Sequence, residues 1–190
     1  KDEKELKNLE IVEIPIEFSR QSGKTTAIVH TIEFILIYLS EYFRRPIRIG
    51  IFAPEKEQAN TDFDRLRIAL SRISELRVIP EKENARTLKL PNESECYIFP
   101  ITPTSHPESK TFDLMIFEEA HNIDDQQMKN DIWPMGASTA APRIYIGTAS
   151  YQICYFYRLL QKPQIKKLVY NWRYICQERR KLYEKDGKIE

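Results

Sequence analysis

The stretch from Ser19 to Thr26 reads S-R-Q-S-G-K-T-T. It stands between an apolar run, Ile11 to Phe18 (IVEIPIEF), and a helix predicted from about Lys24 to Phe43. No other part of the chain limits the fold as much. A loop that carries chemistry on a nucleotide at a strand–helix junction needs three things: backbone N–H groups around the β-phosphate, a lysine for the β- and γ-oxygens, and a hydroxyl for Mg²⁺. Here Gly23 permits close backbone approach, Lys24 supplies the charge and Thr25 the hydroxyl. The helix N-terminus adds a partial positive charge of its own. Arg20 lies in the same loop, where it could reach the γ-phosphate and stabilise transition-state charge. The plain alternative is a solvated surface arginine. The standard pattern, G-x-x-x-x-G-K-[ST], begins with Gly where this chain has Phe18.

The remainder alternates short β-rich runs with longer helical ones. That pattern predicts an α/β fold with a central, mainly parallel β-sheet flanked by helices. Strands are expected at Ile47 to Ala53 (IRIGIFA), Phe112 to Phe117 (FDLMIF), Arg143 to Gly147 (RIYIG) and Ile165 to Tyr170. A helix is expected from Glu55 to Leu76, with Phe63, Leu66, Leu70 and Ile73 on one face. Thr87 to Leu90 and Cys96 to Ile101 flank the turn residues Pro91-Asn92-Glu93-Ser94 and read as a hairpin. Pro100 to Pro107 reads as a loop, Tyr151 to Leu160 as a helix, and Arg173 to Glu190 as a charged helix or tail.

Two further elements fall on predicted strand ends. Phe112 to His121 reads F-D-L-M-I-F-E-E-A-H, an apolar strand ending in Glu118 and Glu119. In a nucleotide motor one such carboxylate anchors Mg²⁺ through its water shell and the next polarises the attacking water. The plain reading is a pair of solvated acids capping a helix that starts near Ala120. His121 reads as a local polar contact rather than a metal ligand. Ile144 to Ser150 (I-Y-I-G-T-A-S) runs a strand into small hydroxyl residues. Thr148 and Ser150 are therefore candidates to bond the lytic water or the γ-phosphate and to report its loss. All three elements lie at carboxyl ends of strands, where open α/β sheets bind ligands.

Composition narrows the partners. The chain has 190 residues, the size of one ordinary domain, and its 42% hydrophobic content is enough to bury a core. With 29 Lys+Arg against 28 Asp+Glu the net charge is +1, so any DNA contact must come from a local patch rather than bulk charge. From Arg158 onward basic residues outnumber acidic ones, with Lys166-Lys167 and Arg179-Arg180-Lys181 as clusters; a solvated helix is the default reading of these and a DNA-facing role the sharper one. Cys96, Cys154 and Cys176 show no metal-ligand spacing and predict no disulfide framework. Tyr145, Tyr151, Tyr155, Phe156 and Tyr157 are expected to pack in the core rather than to stack on bases. No uninterrupted apolar run suggests a membrane span, and the start, Lys1 to Glu10, does not read as a signal peptide.

Taken together these segments resemble the ATPase domain of tailed-virus large terminases, the motors that package viral DNA. The loop S-R-Q-x-G-K-T-T, with Ser first and Arg inside it, resembles that family's variant phosphate loop. Ile49 to Pro54 (IGIFAP) with the helix containing Gln58, Phe63, Leu66 and Leu70, the hairpin around Pro91-Asn92-Glu93, and Lys110-Thr111-Phe112-Asp113 before the acidic strand are similar to the family's elements in the same order. Gly147-Thr148-Ala149-Ser150 followed by Tyr151 to Leu160 resembles its coupling motif. The resemblance covers roughly residues 11–170. It implies a P-loop NTPase fold of the RecA-like, additional-strand (ASCE) type. It implies nucleotide binding by Ser19, Arg20, Gln21, Ser22, Gly23, Lys24, Thr25 and Thr26, Mg²⁺ at Thr25 and Glu118, and catalysis by Glu119, Arg20 and Thr148. ATP and Mg²⁺ are the implied cofactors. Implied partners are double-stranded DNA, portal protein, the small terminase subunit and further copies in a homo-oligomeric ring, in the cytoplasm of the infected host cell and without a membrane. On this reading residues 1–170 form the ATPase domain, truncated at its N-terminus, and 171–190 a charged helix or linker toward an absent nuclease domain, because no well-spaced Asp residues follow Thr148.

Two other readings stay open at this level. Glu118-Glu119-Ala120-His121 resembles the D-E-A-H box of superfamily 2 helicases, with Thr148-Ala149-Ser150 loosely like their S-A-T motif. A nucleotide-dependent scaffold or switch that turns over poorly would suit Phe18 and Glu118.

Overall fold

Isoleucine and aromatic residues alternate along the central strands, and this alternation organises the domain. The computed structural model describes residues 11–20, 22–54, 56–72, 79–80, 87–101, 110–148 and 153–185. Among them run β1 (Glu13–Phe18), α1 (Lys24–Phe43), β2 (Arg48–Ala53), α2 (Lys56–Ser71), β3 (Ile79–Pro80), β4 (Thr87–Lys89), β5 (Glu95–Pro100) and β6 (Leu114–Phe117). They are followed by α3 (Asp125–Gln127, running on through Met128–Ile132 and Trp133–Gly136), β7 (Arg143–Gly147), α4 (Tyr155–Gln161), β8 (Leu168–Tyr170) and α5 (Trp172–Lys185). The strands form one sheet in the order β3-β4-β5-β2-β6-β7-β1-β8. From β5 to β8 every neighbouring pair is parallel, and β3 and β4 add antiparallel pairs at one end. The predicted mainly parallel α/β sheet is thus present.

Central strands of a parallel sheet are buried on both faces, and here the faces differ in chemistry. Ile49, Ile51, Ile98, Ile116 and Ile146 point to one side, where Ile28, Val29, Ile32 and Leu36 of α1 and Leu66 and Leu70 of α2 cover them. Phe52, Tyr97, Met115, Phe117 and Tyr145 point to the other, against Met128, Ile132, Phe156 and Leu159. In register across four strands, Phe99, Phe52, Phe117 and Tyr145 form a ring ladder. Their centroids lie 5.5, 5.3 and 4.7 Å apart, all stacked. Each such contact is worth about 0.5–1.5 kcal/mol beyond the area it buries. Phe117 is the last residue of β6, so the ladder braces the strand end that carries Glu118 and Glu119. The core role expected for Tyr145 and Phe156 holds, whereas Tyr157 is exposed; Tyr151 lies outside the described residues.

Helix α1 is twenty residues long and apolar enough on average to match a membrane crossing, which the sequence reading did not flag. Its buried stripe is spent on the sheet. The helix widens to a π turn at Ile35–Leu39, and the Leu36 carbonyl there accepts from Ser40 Oγ at 2.7 Å and Asn92 Nδ2 at 2.8 Å. Arg44 ends it in the left-handed region (φ 52°), just before Pro46.

Other boundaries move. The predicted hairpin is β4 with β5. The helix expected from Glu55 to Leu76 is α2, Lys56–Ser71; Leu66 and Leu70 are buried as predicted, while Ile73 and the side chains of Gln58 and Phe63 lie outside the described residues. The helix expected near Ala120 is a single 3-10 turn, Ala120–Asn122. The longer helical segment starts at Asp125 instead, because Asp124 caps it, its carboxylate accepting from the N–H groups of Gln126 and Gln127.

Candidate active site

Strand β1 delivers the phosphate loop. Ser19 N–H donates to the Tyr170 carbonyl at 2.9 Å, which ties the loop's entry to the end of β8. Gly23 sits at φ 83°, ψ 17° as the N-cap of α1. An added Cβ would meet nothing within 4 Å, so conformation, not space, demands glycine there. Among the described residues no side chain caps α1 and no acid stands in its first turn, which leaves its leading N–H groups suited to an anion. Ser22 Oγ is buried in the loop without a hydrogen-bond partner among the described residues, a polar atom placed where a phosphate oxygen would satisfy it. Gln21 lies outside the described residues.

The acidic strand end divides its two carboxylates. Glu118 is 1% exposed; its N–H donates to the Phe52 carbonyl at 2.8 Å, and its side chain lies outside the cleft lining. Glu119 turns into the left-handed region, φ 43°, ψ 43°, a conformation that costs a non-glycine residue about 1–3 kcal/mol. That twist sends the second carboxylate into the cleft, where Glu119 Oε1 pairs with Lys24 Nζ. Glu119 Oε2 lies 3.5 Å from His121 Nε2. Burial pushes the His121 imidazole below its usual range; Glu119 opposes this, and Lys24 and Arg20 reinforce it. At neutral pH His121 is therefore a neutral neighbour of the carboxylate.

Strand β7, lying between β6 and β1, brings the third element. Thr148 lines the cleft, while Ser150 lies outside the described residues. Gly147 lets the Phe156 ring and His121 approach: a Cβ there would stand 2.7 Å from Phe156 Cε1 and 3.0 Å from His121 Nδ1. Gly147→Ala is expected to destabilise the domain by about 1–3 kcal/mol, as overpacking does. Urea denaturation measures it, and an unchanged midpoint would refute the tight contact.

These elements enclose a cleft of about 620 Å³ lined by Ser19, Arg20, Ser22, Gly23, Lys24, Thr25, Thr26, Glu119 and Thr148, with Arg65 of α2 and Arg179 of α5. The structure therefore gathers every described residue assigned to nucleotide binding or catalysis, with Glu118 buried outside the lining. It adds Arg65 and Arg179, which the sequence reading did not assign to the site. Among the described residues four cations line this cleft against one carboxylate, in a chain whose net charge is +1. Such a concentration of like charge suits a polyphosphate. The hydroxyl of Thr25 and the carboxylate of Glu118 are hard oxygen donors of the kind Mg²⁺ takes beside substrate phosphates. Among the described residues no three His, Cys, Asp or Glu side chains gather into a metal-binding group.

No protein-family model and no curated protein sequence matches the chain. Solved structures do match its fold. The large terminase ATPase domain of Thermus phage P74-26 superposes with a TM-score of 0.69 at 19% identity, over 96% of this chain and 84% of that one. The chain has the fold of a large-terminase ATPase domain. The HK97 bacteriophage large terminase matches over 88% of this chain and 36% of its own, at TM-score 0.67 and 17% identity. The large terminase of a thermophilic bacteriophage, solved in complex with ADP, matches over 93% and 44%, at 0.65 and 14%. Against these last two terminases the chain therefore spans less than half of the other protein's length.

Proposed function

We propose that the chain is the ATPase motor domain of a phage large terminase, hydrolysing ATP to drive double-stranded DNA into a procapsid. The observation that carries this reading is the pairing of Lys24 with Glu119, which joins phosphate loop and acidic strand end in one cationic cleft of the terminase ATPase fold. The thermophilic-phage terminase has been solved with ADP and with ATP-γ-S, which supports a nucleotide as the ligand here.

Each residue then has a task. The N–H groups at the start of α1, with Ser22 and Thr26, cradle the β-phosphate. Lys24 leaves Glu119 for the β- and γ-oxygens. The freed Glu119 carboxylate accepts a proton from the attacking water. Arg20 offsets charge on the γ-phosphoryl oxygens, and Thr148 bonds the γ-phosphate or the water, registering its departure. Thr25 would hold Mg²⁺ directly and Glu118, outside the cleft lining, through the ion's water shell; the ion would supply positive charge beside the phosphates. DNA, gripped at its backbone without sequence reading, portal protein, small terminase subunit and neighbouring copies in a ring are the proposed partners, in the host cytoplasm. Residues 171–190 are the proposed link toward a nuclease domain.

Calorimetry with ATP-γ-S and ADP in the presence of Mg²⁺ tests the reading. Saturable binding of both is expected, with hydrolysis of ATP on assembly with DNA and portal. Failure to bind either nucleotide would overturn it.

A further inference from the structure

Helix α5 is rooted beside the phosphate loop. At its base Phe18 stacks on Tyr170, with centroids 5.0 Å apart, and Tyr170 meets Tyr174 at 5.7 Å. Asn171 starts the helix, its Oδ1 accepting from Tyr174 N–H at 2.9 Å. Beyond that root Trp172, Arg173, Tyr174, Cys176, Gln177, Arg179 and Arg180 are exposed, with Ile175 and Glu178 half-buried. Yet Arg179, about two turns or roughly 10 Å along the helix, lines the phosphate cleft. Lys181 engages the neighbouring Glu178 at 2.9 Å.

The sheet order fixes the side from which Arg179 arrives. With β6-β7-β1-β8 adjacent, Glu119 and Thr148 reach the phosphate loop from the β7 side of β1, and α5 rises from β8 on the opposite side. The hydrolysed γ end of a nucleotide lies toward Glu119 and Thr148. A guanidinium arriving from the other side meets the part of the ligand that ADP and ATP share. A solvated arginine would be the ordinary reading of residue 179, but its place in the lining of this cleft puts it within reach of an anion bound there.

We infer that Arg179 grips the diphosphate shared by ADP and ATP, from the side opposite Glu119, and so ties α5 to the bound nucleotide. The inference rests on the nucleotide reading of the cleft. It gives α5 a contact that does not depend on the γ-phosphate, whereas Thr148 is assigned to the γ-phosphate.

The test uses the full chain with ATP-γ-S and ADP as probes. Arg179→Ala should weaken both about tenfold, a loss in the range of one charge-assisted hydrogen bond, and Arg180→Ala should weaken neither. Exposed Cys176 offers a second readout on α5. A fluorophore attached there in a Cys154→Ser background should change emission with ADP as much as with ATP-γ-S, and should not respond in Arg179→Ala at saturating nucleotide. A loss confined to ATP-γ-S would place Arg179 on the γ-phosphate and overturn the assignment. Unchanged affinities in Arg179→Ala, with wild-type binding intact, would overturn this inference alone. A wild type that binds neither nucleotide would overturn the nucleotide reading together with it.

Discussion

Replacing Glu119 with glutamine is expected to lower ATP turnover by about 10²–10⁴-fold, the range that a positioned general base contributes. Glutamine keeps the side chain's length and shape but takes no proton from water at neutral pH. The same change should leave ATP affinity intact or raise it. In the free protein Glu119 holds Lys24, so an incoming nucleotide must displace a carboxylate from its lysine; the amide competes less well. Phosphate release over many turnovers, beside equilibrium binding of a fluorescent ATP analogue, separates the two effects. Hydrolysis at the wild-type rate would remove Glu119 from the role of base.

Lys24→Ala acts on the other partner and should fail earlier, at binding. A hydrogen bond to a charged group is worth about 1.5–3 kcal/mol, or about 10–150-fold in affinity. The deletion also leaves the Glu119 carboxylate in the cleft without its cation, facing the incoming phosphates. We therefore expect the loss of ATP-γ-S affinity to reach about 100-fold or more. The double variant Lys24→Ala/Glu119→Gln should recover part of that loss, because the repulsive charge goes with it. Calorimetry on the four proteins of this cycle gives the coupling. Equal affinity in wild type and Lys24→Ala would contradict a phosphate site at this loop.

Much of the architecture was legible because the information was local. The runs IVEIPIEF, IRIGIFA, FDLMIF and RIYIG are strands within a residue or two, since segments buried on both faces of a parallel sheet read as near-continuous apolar runs. Gly23-Lys24-Thr25 marked the phosphate loop for the same reason: one left-handed glycine, one charge and one hydroxyl serve a function confined to consecutive residues. Glu118 and Glu119 were legible as a pair but not as a division of positions. Which carboxylate enters the cleft depends on a backbone twist at Glu119 that no residue type announces. The segment 125–136 escaped because M-K-N-D-I-W-P-M-G has no clean helical period; the signal available was Asp124, a capping residue. Arg65 and Arg179 escaped for a different reason. Each is an ordinary arginine on a polar helix, and only the packing of α2 and α5 around the end of the sheet gives it a target.

The sheet order also has a consequence for how the chain comes into being. Strand β1 pairs with β7 and β8, both over a hundred residues later in the sequence. During synthesis at about 5–20 residues per second, β1 leaves the ribosome roughly 6–30 s before β7 can flank it. Strands β2, β5 and β6 can assemble meanwhile, but the loop after Phe18 has no neighbour to set its shape. Of the three strand-end motifs around the cleft, the earliest in the sequence is thus the last to be finished. A nascent chain cannot capture nucleotide before the domain's closing strands are made, and ATP selects for the completed sheet by binding only to it.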